Sequence, residues 1–72
     1  MYSETFGQKL RQARIEAGLT QKEVESMIGV KHQTLSKYET GKLEPNLETF
    51  GKLCDLYYVS ADWLLGTRGN NF

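Results

Sequence analysis

The stretch that decides the fold is TQKEVESMIGVKHQTLSKYETGK, residues 20–42. It begins with Thr20-x-x-Glu23, a capping box in which the threonine hydroxyl accepts from the Glu23 backbone N–H and the glutamate reaches back. Two amphipathic segments, each of about eight or nine residues, lie on either side of Gly29. Two short helices joined by a brief glycine turn are typical of a helix-turn-helix unit. We therefore predict such a unit over about residues 20–40.

The predicted first helix covers residues 3–17 and precedes this unit. Its apolar side chains recur at helical spacing, and Gly18 ends it at a position that favours the left-handed conformation. The residues expected to face the core are Phe6, Leu10, Ala13 and Ala17 in the first helix, Val24, Met27 and Ile28 in the second, and Leu35 and Tyr38 in the third, with Val30 packing from the turn.

Two further helices follow the unit. Asn46 is a suitable N-cap for the fourth helix, and Ser60 for a short fifth helix over residues 61–65. The sequence thus predicts an all-α, compact five-helix domain over residues 1–66 and a flexible tail over residues 67–72, where no periodicity remains. The inward stripe expected of the fourth helix is Leu47, Phe50, Leu53, Cys54 and Tyr57.

The composition excludes several classes of protein. The 72 residues include a single cysteine, Cys54, so an internal disulfide and an all-cysteine zinc site are excluded and a reducing cytoplasm is favoured. No apolar run approaches the roughly 18 residues of a membrane span, and the polar N-terminus lacks the apolar region of a signal peptide. We expect no membrane association.

Catalytic and metal-binding patterns are not recognisable either. His32 is the single histidine, and no cysteine or carboxylate cluster stands beside it at metal-ligand spacing. There is no nucleophile–base pair and no phosphate-binding loop. We therefore predict a protein that is not an enzyme, with no metal, no cofactor and no evident small-molecule site.

The formal net charge is zero, but the charges are divided unequally. Residues 1–42 hold seven basic and five acidic residues, a net charge of +2, whereas residues 43–72 hold two basic and four acidic residues, a net charge of −2. We expect the positive half to face phosphates and the acidic half to point away from them.

The third predicted helix has few apolar residues and a polar outer surface. This helix is the second of the two in the helix-turn-helix unit. In such units that helix enters the major groove of DNA, where base edges are read by hydrogen bonds. Gln33 suits a bidentate bond to adenine, and Lys37 suits the O6 and N7 atoms of guanine. These residues make DNA the expected partner.

Several short segments, spread over most of the chain, carry a family resemblance. They are Arg14, Gly18-Leu19-Thr20-Gln21, Gly29-Val30, Tyr38-Glu39-Thr40-Gly41-Lys42, Pro45-Asn46-Leu47 and Val59-Ser60-Ala61-Asp62-Trp63-Leu64-Leu65-Gly66. In this order and spacing the chain resembles the Cro and phage-repressor type of helix-turn-helix proteins, the XRE-like transcription regulators of bacteria and phages. The resemblance implies a lambda-repressor-like fold and a bacterial or phage-encoded, cytoplasmic protein.

The resemblance also implies roles for individual residues. Arg14 and Glu39 match an ion pair that ties the first helix to the end of the third, which we interpret as structural. The side chains implied to contact bases are His32, Gln33, Thr34 and Lys37, and those implied to contact phosphates are Gln21, Lys31, Lys42 and Arg11.

Four residues depart from the family pattern. One is Glu44, which lies in the loop after the third helix, where relatives often have basic residues. Glu25 stands where the second helix usually has alanine, so its stem must lie along Leu35 or swing outward. Lys31 stands where Ser or Thr usually caps the recognition helix, and because a lysine side chain cannot accept an N–H bond, we expect this helix to be less well capped. Tyr58 occupies a turn where Gly or Asn is common.

These observations predict a sequence-specific, double-stranded-DNA-binding transcription regulator that acts as a repressor. Useful occupancy calls for a homodimer on a palindromic operator with half-sites about 34 Å apart. The apolar residues expected to supply the dimer contact are Trp63, Leu64 and Leu65.

Two alternatives remain open. The first is the antitoxin of a toxin–antitoxin pair, which would have the same fold and bind both its operator and a protein. The second is a protein-interaction module that has lost DNA binding. Several basic side chains also fit ordinary solvated surface, namely Lys9, Arg11, Lys22 and Lys42.

Overall fold

Between residues 2 and 66 the chain forms five helices connected by short turns. The computed structural model describes the backbone of residues 2–66 and the side chains of residues 6–66. The helices are α1 (Tyr2–Glu16), α2 (Gln21–Ile28), α3 (His32–Glu39), α4 (Leu47–Tyr57) and α5 (Ala61–Leu65). The all-α, five-helix prediction is confirmed for this part of the chain. The predicted tail, residues 67–72, lies outside the described residues.

Side-chain caps explain where three of the helices begin. The Glu23 backbone N–H donates to Thr20 Oγ1 at 3.1 Å, and the Thr20 N–H donates to Glu23 Oε1 at 2.8 Å, which completes the predicted capping box. Asn46 Oδ1 and Ser60 Oγ each accept from the backbone N–H three residues later, at 2.8 and 3.1 Å. Each bond satisfies a donor that a helix start leaves without an internal partner. These predicted caps are confirmed.

The core receives one wholly buried side chain from each of the five helices. They are Leu10, Val24, Leu35, Leu53 and Leu64, all between 0% and 1% exposed. Burying a side chain of this kind contributes about 1.5–3 kcal/mol relative to leaving it in water. A single apolar cluster therefore connects every helix to every other through shared neighbours.

Three apolar residues predicted to face the core are exposed instead. Ala17 lies just beyond the end of α1 and is exposed, although its backbone N–H still donates to the Ala13 carbonyl oxygen at 3.0 Å. Met27 is 57% exposed, because Ile28, about 100° further round α2, takes the inward position. Leu47 is 87% exposed, since it is the first residue of α4 and projects past the end of the core.

α1 approaches the end of α3 closely at Gly7, which is buried. A Cβ atom on Gly7 would lie 2.7 Å from the carbonyl oxygens of both Tyr38 and Glu39. Only glycine fits at such a distance from backbone. The sequence signal for this contact is a glycine inside an amphipathic helix, where glycine is otherwise unfavourable.

Candidate nucleic-acid interface

α2, a glycine turn and α3 form the helix-turn-helix unit. Gly29 has a φ of +79° and ends α2 in the left-handed conformation, which glycine adopts without steric cost. α3 begins three residues later, at His32. Val24 of α2 and Leu35 of α3 are both wholly buried in the common core, which fixes the two helices to each other.

α3 has a buried face and a polar outer face. Leu35, Tyr38 and Glu39 are buried. The remaining surface displays hydrogen-bonding groups at the positions predicted for base contacts, as reading of the major groove requires. Gln33 and Lys37 are exposed and one helical turn apart, whereas His32 and Thr34 are half-buried.

The start of α3 is capped from α2 rather than by its own N-cap residue. Lys31 makes no side-chain capping bond. Instead the backbone N–H of His32 donates to Glu25 Oε1 at 3.0 Å, and His32 Nδ1 lies 2.7 Å from the same oxygen. Lys31 gives no side-chain cap, as expected from the sequence, but Glu25 supplies an acceptor for one backbone N–H at the start of the helix. The two departures from the family pattern compensate each other.

The charge of Glu25 suits this capping role. The imidazole and the backbone N–H of His32 both donate to its carboxylate and, with the nearby charge of Lys31, hold the pKa of Glu25 below its ordinary value. A carboxylate at a helix N-terminus is further favoured by the helix dipole. In the sequence Glu25 is recognisable only as an unusual residue for its position, because its partner His32 lies on the other side of the turn.

Arg14 and Glu39 lie at the centre of a hydrogen-bond network between α1, α2 and α3. Arg14 Nε donates to Glu39 Oε2 at 2.7 Å, and Arg14 Nη2 donates to Glu39 Oε1 at 3.1 Å. Arg14 Nη1 donates to the carbonyl oxygen of Leu19 at 2.9 Å. Gln21 Nε2 donates to Glu39 Oε1 at 3.1 Å. Glu39 thus receives donors from both helices that precede α3, and bonding to it raises the pKa of Arg14.

The side chains predicted to contact phosphates occupy four separate elements. Gln21 is the first residue of α2 and is half-buried by its bond to Glu39. Lys31 is exposed in the turn before α3, and Arg11 is exposed on α1. Lys42 is exposed just after α3, where its backbone N–H donates to the Lys37 carbonyl at 2.9 Å.

The predicted dimer contact on α5 needs a correction. Leu64 is 1% exposed, because this position of the short helix turns inward and completes the core. The surface that remains consists of Trp63, which is 37% exposed, and half-buried Leu65. Lys9, expected on ordinary solvated surface, donates its Nζ to the Trp63 carbonyl at 2.9 Å and lies 5.4 Å from the Trp63 ring centroid. Lys9 therefore fastens α5 to α1.

Among the side chains of residues 6–66, the structure places no three histidine, cysteine or acidic groups where they could share a metal ion. Burial, with a smaller effect of Asp55, raises the pKa of the Cys54 thiol, which opposes formation of a reactive thiolate. In the same part of the chain, no helix is long and apolar enough to cross a bilayer.

Comparison with known proteins identifies this arrangement. A helix-turn-helix family model matches residues 10–64. The HTH-type transcriptional regulator ImmR of Bacillus subtilis is 42% identical over 62 residues, which cover 86% of this chain and 49% of ImmR. The SPbeta prophage-derived uncharacterized HTH-type transcriptional regulator YonR of the same organism is 40% identical over 60 residues, which cover 83% of this chain and 56% of YonR.

A third relative comes from a phage of another bacterium. The cryptic phage CTXphi transcriptional repressor RstR of Vibrio cholerae is 44% identical over 66 residues, which cover 92% of this chain and 60% of RstR. The chain thus spans about half the length of the first two relatives and somewhat more of the third. Because the family model covers most of the sequence, the chain belongs to the helix-turn-helix family of Cro and phage-repressor type.

Proposed function

We propose that this chain binds double-stranded DNA at specific sequences and represses transcription by occupying its site. The observation that carries the proposal is α3 itself. Its inner residues attach it to the core, and its outer residues present hydrogen-bonding groups along one side. An α-helix fits the major groove, where each base pair offers a distinct pattern of donors and acceptors. Such a protein acts by binding and needs no chemistry of its own.

The base contacts are assigned to the outer face of α3. Gln33 and Lys37 lie one turn apart, so both side chains can enter the groove together. Gln33 suits adenine and Lys37 suits guanine, and each good pairing contributes about 1–3 kcal/mol of discrimination. Thr34 and His32 supply further contacts beside them.

The phosphate contacts are assigned to Gln21, Lys31, Lys42 and Arg11. Phosphate contacts orient a protein on the duplex and carry most of its salt dependence. With a net charge of zero, this protein gains little from non-specific attraction. Its occupancy of a site then depends on base contacts and on a second copy of the chain.

A homodimer on a palindrome, with half-sites about 34 Å apart, supplies that second contact. Trp63 and Leu65 are the α5 residues available for it. Leu65 also borders an apolar surface groove of about 220 Å³. The apolar residues that line this groove are Phe6, Pro45, Leu47, Phe50 and Leu65.

The relatives support the same assignment. ImmR and YonR are named as transcriptional regulators and RstR as a transcriptional repressor. YonR and RstR are prophage or phage proteins, which supports a bacterial or phage gene for this chain and a place in the bacterial cytoplasm.

One observation favours a protein partner in addition to DNA. Leu47 is 87% exposed and borders the apolar groove, and contiguous apolar surface of this kind is a feature of protein–protein contacts. An antitoxin, or an interaction module without DNA binding, would use such a surface. Both alternatives predict a bound protein, and the second predicts that no DNA sequence is selected.

Selection of bound sites from random double-stranded DNA tests the proposal. We expect enrichment of one palindromic site, with an affinity that falls steeply as salt rises. Gln33→Ala and Lys37→Ala should each change the preferred base at one position of each half-site. Lys52→Ala, a matched lysine on α4 that pairs with Glu48 at 3.6 Å, should leave the selected site unchanged. Recovery of no sequence, together with salt-insensitive retention of DNA, would overturn the proposal.

A further inference from the structure

A single carboxylate oxygen holds both the backbone and the ring of the first residue of α3. Glu25 Oε1 lies 3.0 Å from the His32 backbone nitrogen and 2.7 Å from His32 Nδ1. An ionised carboxylate only accepts hydrogen bonds, so a contact of 2.7 Å requires a hydrogen on Nδ1. The contact therefore assigns a hydrogen to His32 Nδ1.

The other ring nitrogen is left with a defined role. A neutral imidazole carries one hydrogen, so an Nδ1–H tautomer leaves Nε2 as a hydrogen-bond acceptor. Nε2 lies on the side of the ring away from Nδ1, and the His32 side chain is 35% exposed. In the neutral ring, Nε2 of the first α3 residue thus accepts rather than donates.

We infer that Glu25 is a positioning residue that sets the base preference of His32. With Nδ1–H held by Glu25, Nε2 selects a base that presents an amino group in the major groove, which is adenine through N6 or cytosine through N4. Guanine presents only the acceptors N7 and O6 there and is disfavoured at this position. The inference rests on the proposed function, since it requires α3 to read DNA.

The capping geometry explains why one residue serves both purposes. A serine at position 31 would cap α3 through its own hydroxyl, so that the start of the helix would not depend on Glu25. Here Lys31 makes no capping bond, so the acceptor comes from α2 and bonds the ring as well as the backbone. Substitutions at positions 25 and 31 can therefore test the capping of α3 and the orientation of the His32 ring separately.

The tautomer is measurable without DNA. Nitrogen-15 NMR of the imidazole, recorded on the free protein at about pH 8, where a free imidazole is neutral, distinguishes Nδ1–H from Nε2–H. We expect Nδ1–H in the unmodified protein and its loss as the dominant form in Glu25→Ala. An Nε2–H signal in the unmodified protein would overturn the inference, whatever the protein binds.

Site selection then tests the base preference. His32→Ala identifies the base pair that His32 contacts, because the variant should lose its base preference at that position of the DNA site. At that position we expect the unmodified protein to prefer adenine or cytosine over guanine by about tenfold. Lys31→Ser should keep this preference while binding every sequence more weakly, because it loses a proposed phosphate contact. The double variant Glu25→Ala with Lys31→Ser keeps a cap on α3. Its preference for adenine or cytosine over guanine at this position should fall below about threefold. Glu48→Ala, an exposed glutamate on α4, is the matched control and should behave like the unmodified protein.

The possible outcomes distinguish a failure of the proposed function from a failure of the control of His32 by Glu25. If the unmodified protein selects no sequence, the proposed function fails and the NMR result alone decides the tautomer. If it selects a site but His32→Ala changes no position, or the double variant keeps the tenfold preference, the control of His32 by Glu25 is refuted and the proposed function stands.

Discussion

The guanidinium of Arg14 and the carboxylate of Glu39 form a buried pair with two hydrogen bonds, of 2.7 and 3.1 Å, that ties α1 to the last turn of α3. Their side chains are 11% and 2% exposed. Gln21 bonds to the same carboxylate at 3.1 Å, so the start of α2 is joined to the end of α3 as well. Glu39 thereby joins the end of α3 to both α1 and α2.

Removal of one partner of this pair should be strongly destabilising. We expect Arg14→Ala to lower the free energy of unfolding by about 3–5 kcal/mol, because it leaves the buried Glu39 carboxylate without its main donor. Urea denaturation followed by circular dichroism measures the change. Lys22→Ala, an exposed cation on α2, should change stability by no more than about 0.5 kcal/mol. Equal effects of the two substitutions would contradict the structural role of Arg14.

Two helical glycines should respond to alanine in opposite directions. Gly7→Ala should cost about 1–3 kcal/mol, since its Cβ would lie 2.7 Å from two carbonyl oxygens of α3 and force α1 away. Gly51→Ala, in α4 with no atom within 4 Å of its Cβ, should gain about 0.5–1 kcal/mol from helix propensity. Thermal or urea unfolding of both variants checks the pair. A stabilising Gly7→Ala would show that the close approach is not required.

Tyr58 ends α4 in a conformation that favours glycine. Its φ is +62° and its side chain is 95% exposed, so the strain is not offset by packing. Tyr58→Gly should raise the free energy of unfolding by about 1 kcal/mol, because a left-handed residue with a Cβ costs about 1–2 kcal/mol. Tyr58→Ala, which keeps the Cβ, is the control and should give little gain. Similar gains from both variants would point to the aromatic ring as the cause.

The contribution of Glu25 to stability should depend on pH. Its pKa in the folded protein lies below the ordinary value of 4.5, chiefly because the His32 ring and backbone N–H donate to the charged carboxylate. A lowered folded-state pKa adds stability above the unfolded-state value, and that stability is lost as the pH falls through the folded-state value. We therefore expect the stability difference between the unmodified protein and Glu25→Ala to shrink as the pH falls below about 4.5. A difference that persists in acid would contradict a cap that depends on the charge.

The helix boundaries could be predicted because their signals are local. Thr20, Asn46 and Ser60 each bond a backbone donor three residues away, and Gly29 supplies the left-handed end of α2. Such signals depend only on neighbouring residues, so they can be recognised without knowledge of the tertiary structure.

The inward faces were predicted less well because they depend on which helices meet. Met27 and Leu47 have the right spacing for a core stripe, yet each lies where no neighbouring helix covers it. Periodicity shows which side of a helix is apolar but not which residues at its margins a neighbouring helix covers. In a short helix, most of the apolar residues lie at those margins.

The contacts across turns and between helices could not be predicted. The bonds from Glu25 to His32 depend on the path of the turn, and the fit of Gly7 against α3 depends on how α1 crosses it. Both involve residues that look unfavourable in isolation: a carboxylate in place of alanine, and a glycine inside a helix. Local conflicts of this kind are expected where tertiary contacts dominate.

The single shared core has a consequence for motion. Because α3 contributes Leu35 to the same cluster as one wholly buried residue from each other helix, it cannot detach without opening that cluster. Amide hydrogens in the middle of α3 should then exchange with solvent through global unfolding rather than through local fluctuation. α3, the helix proposed to meet DNA, is then as rigid as the described fold as a whole, and its association with DNA would incur little loss of conformational entropy in its backbone.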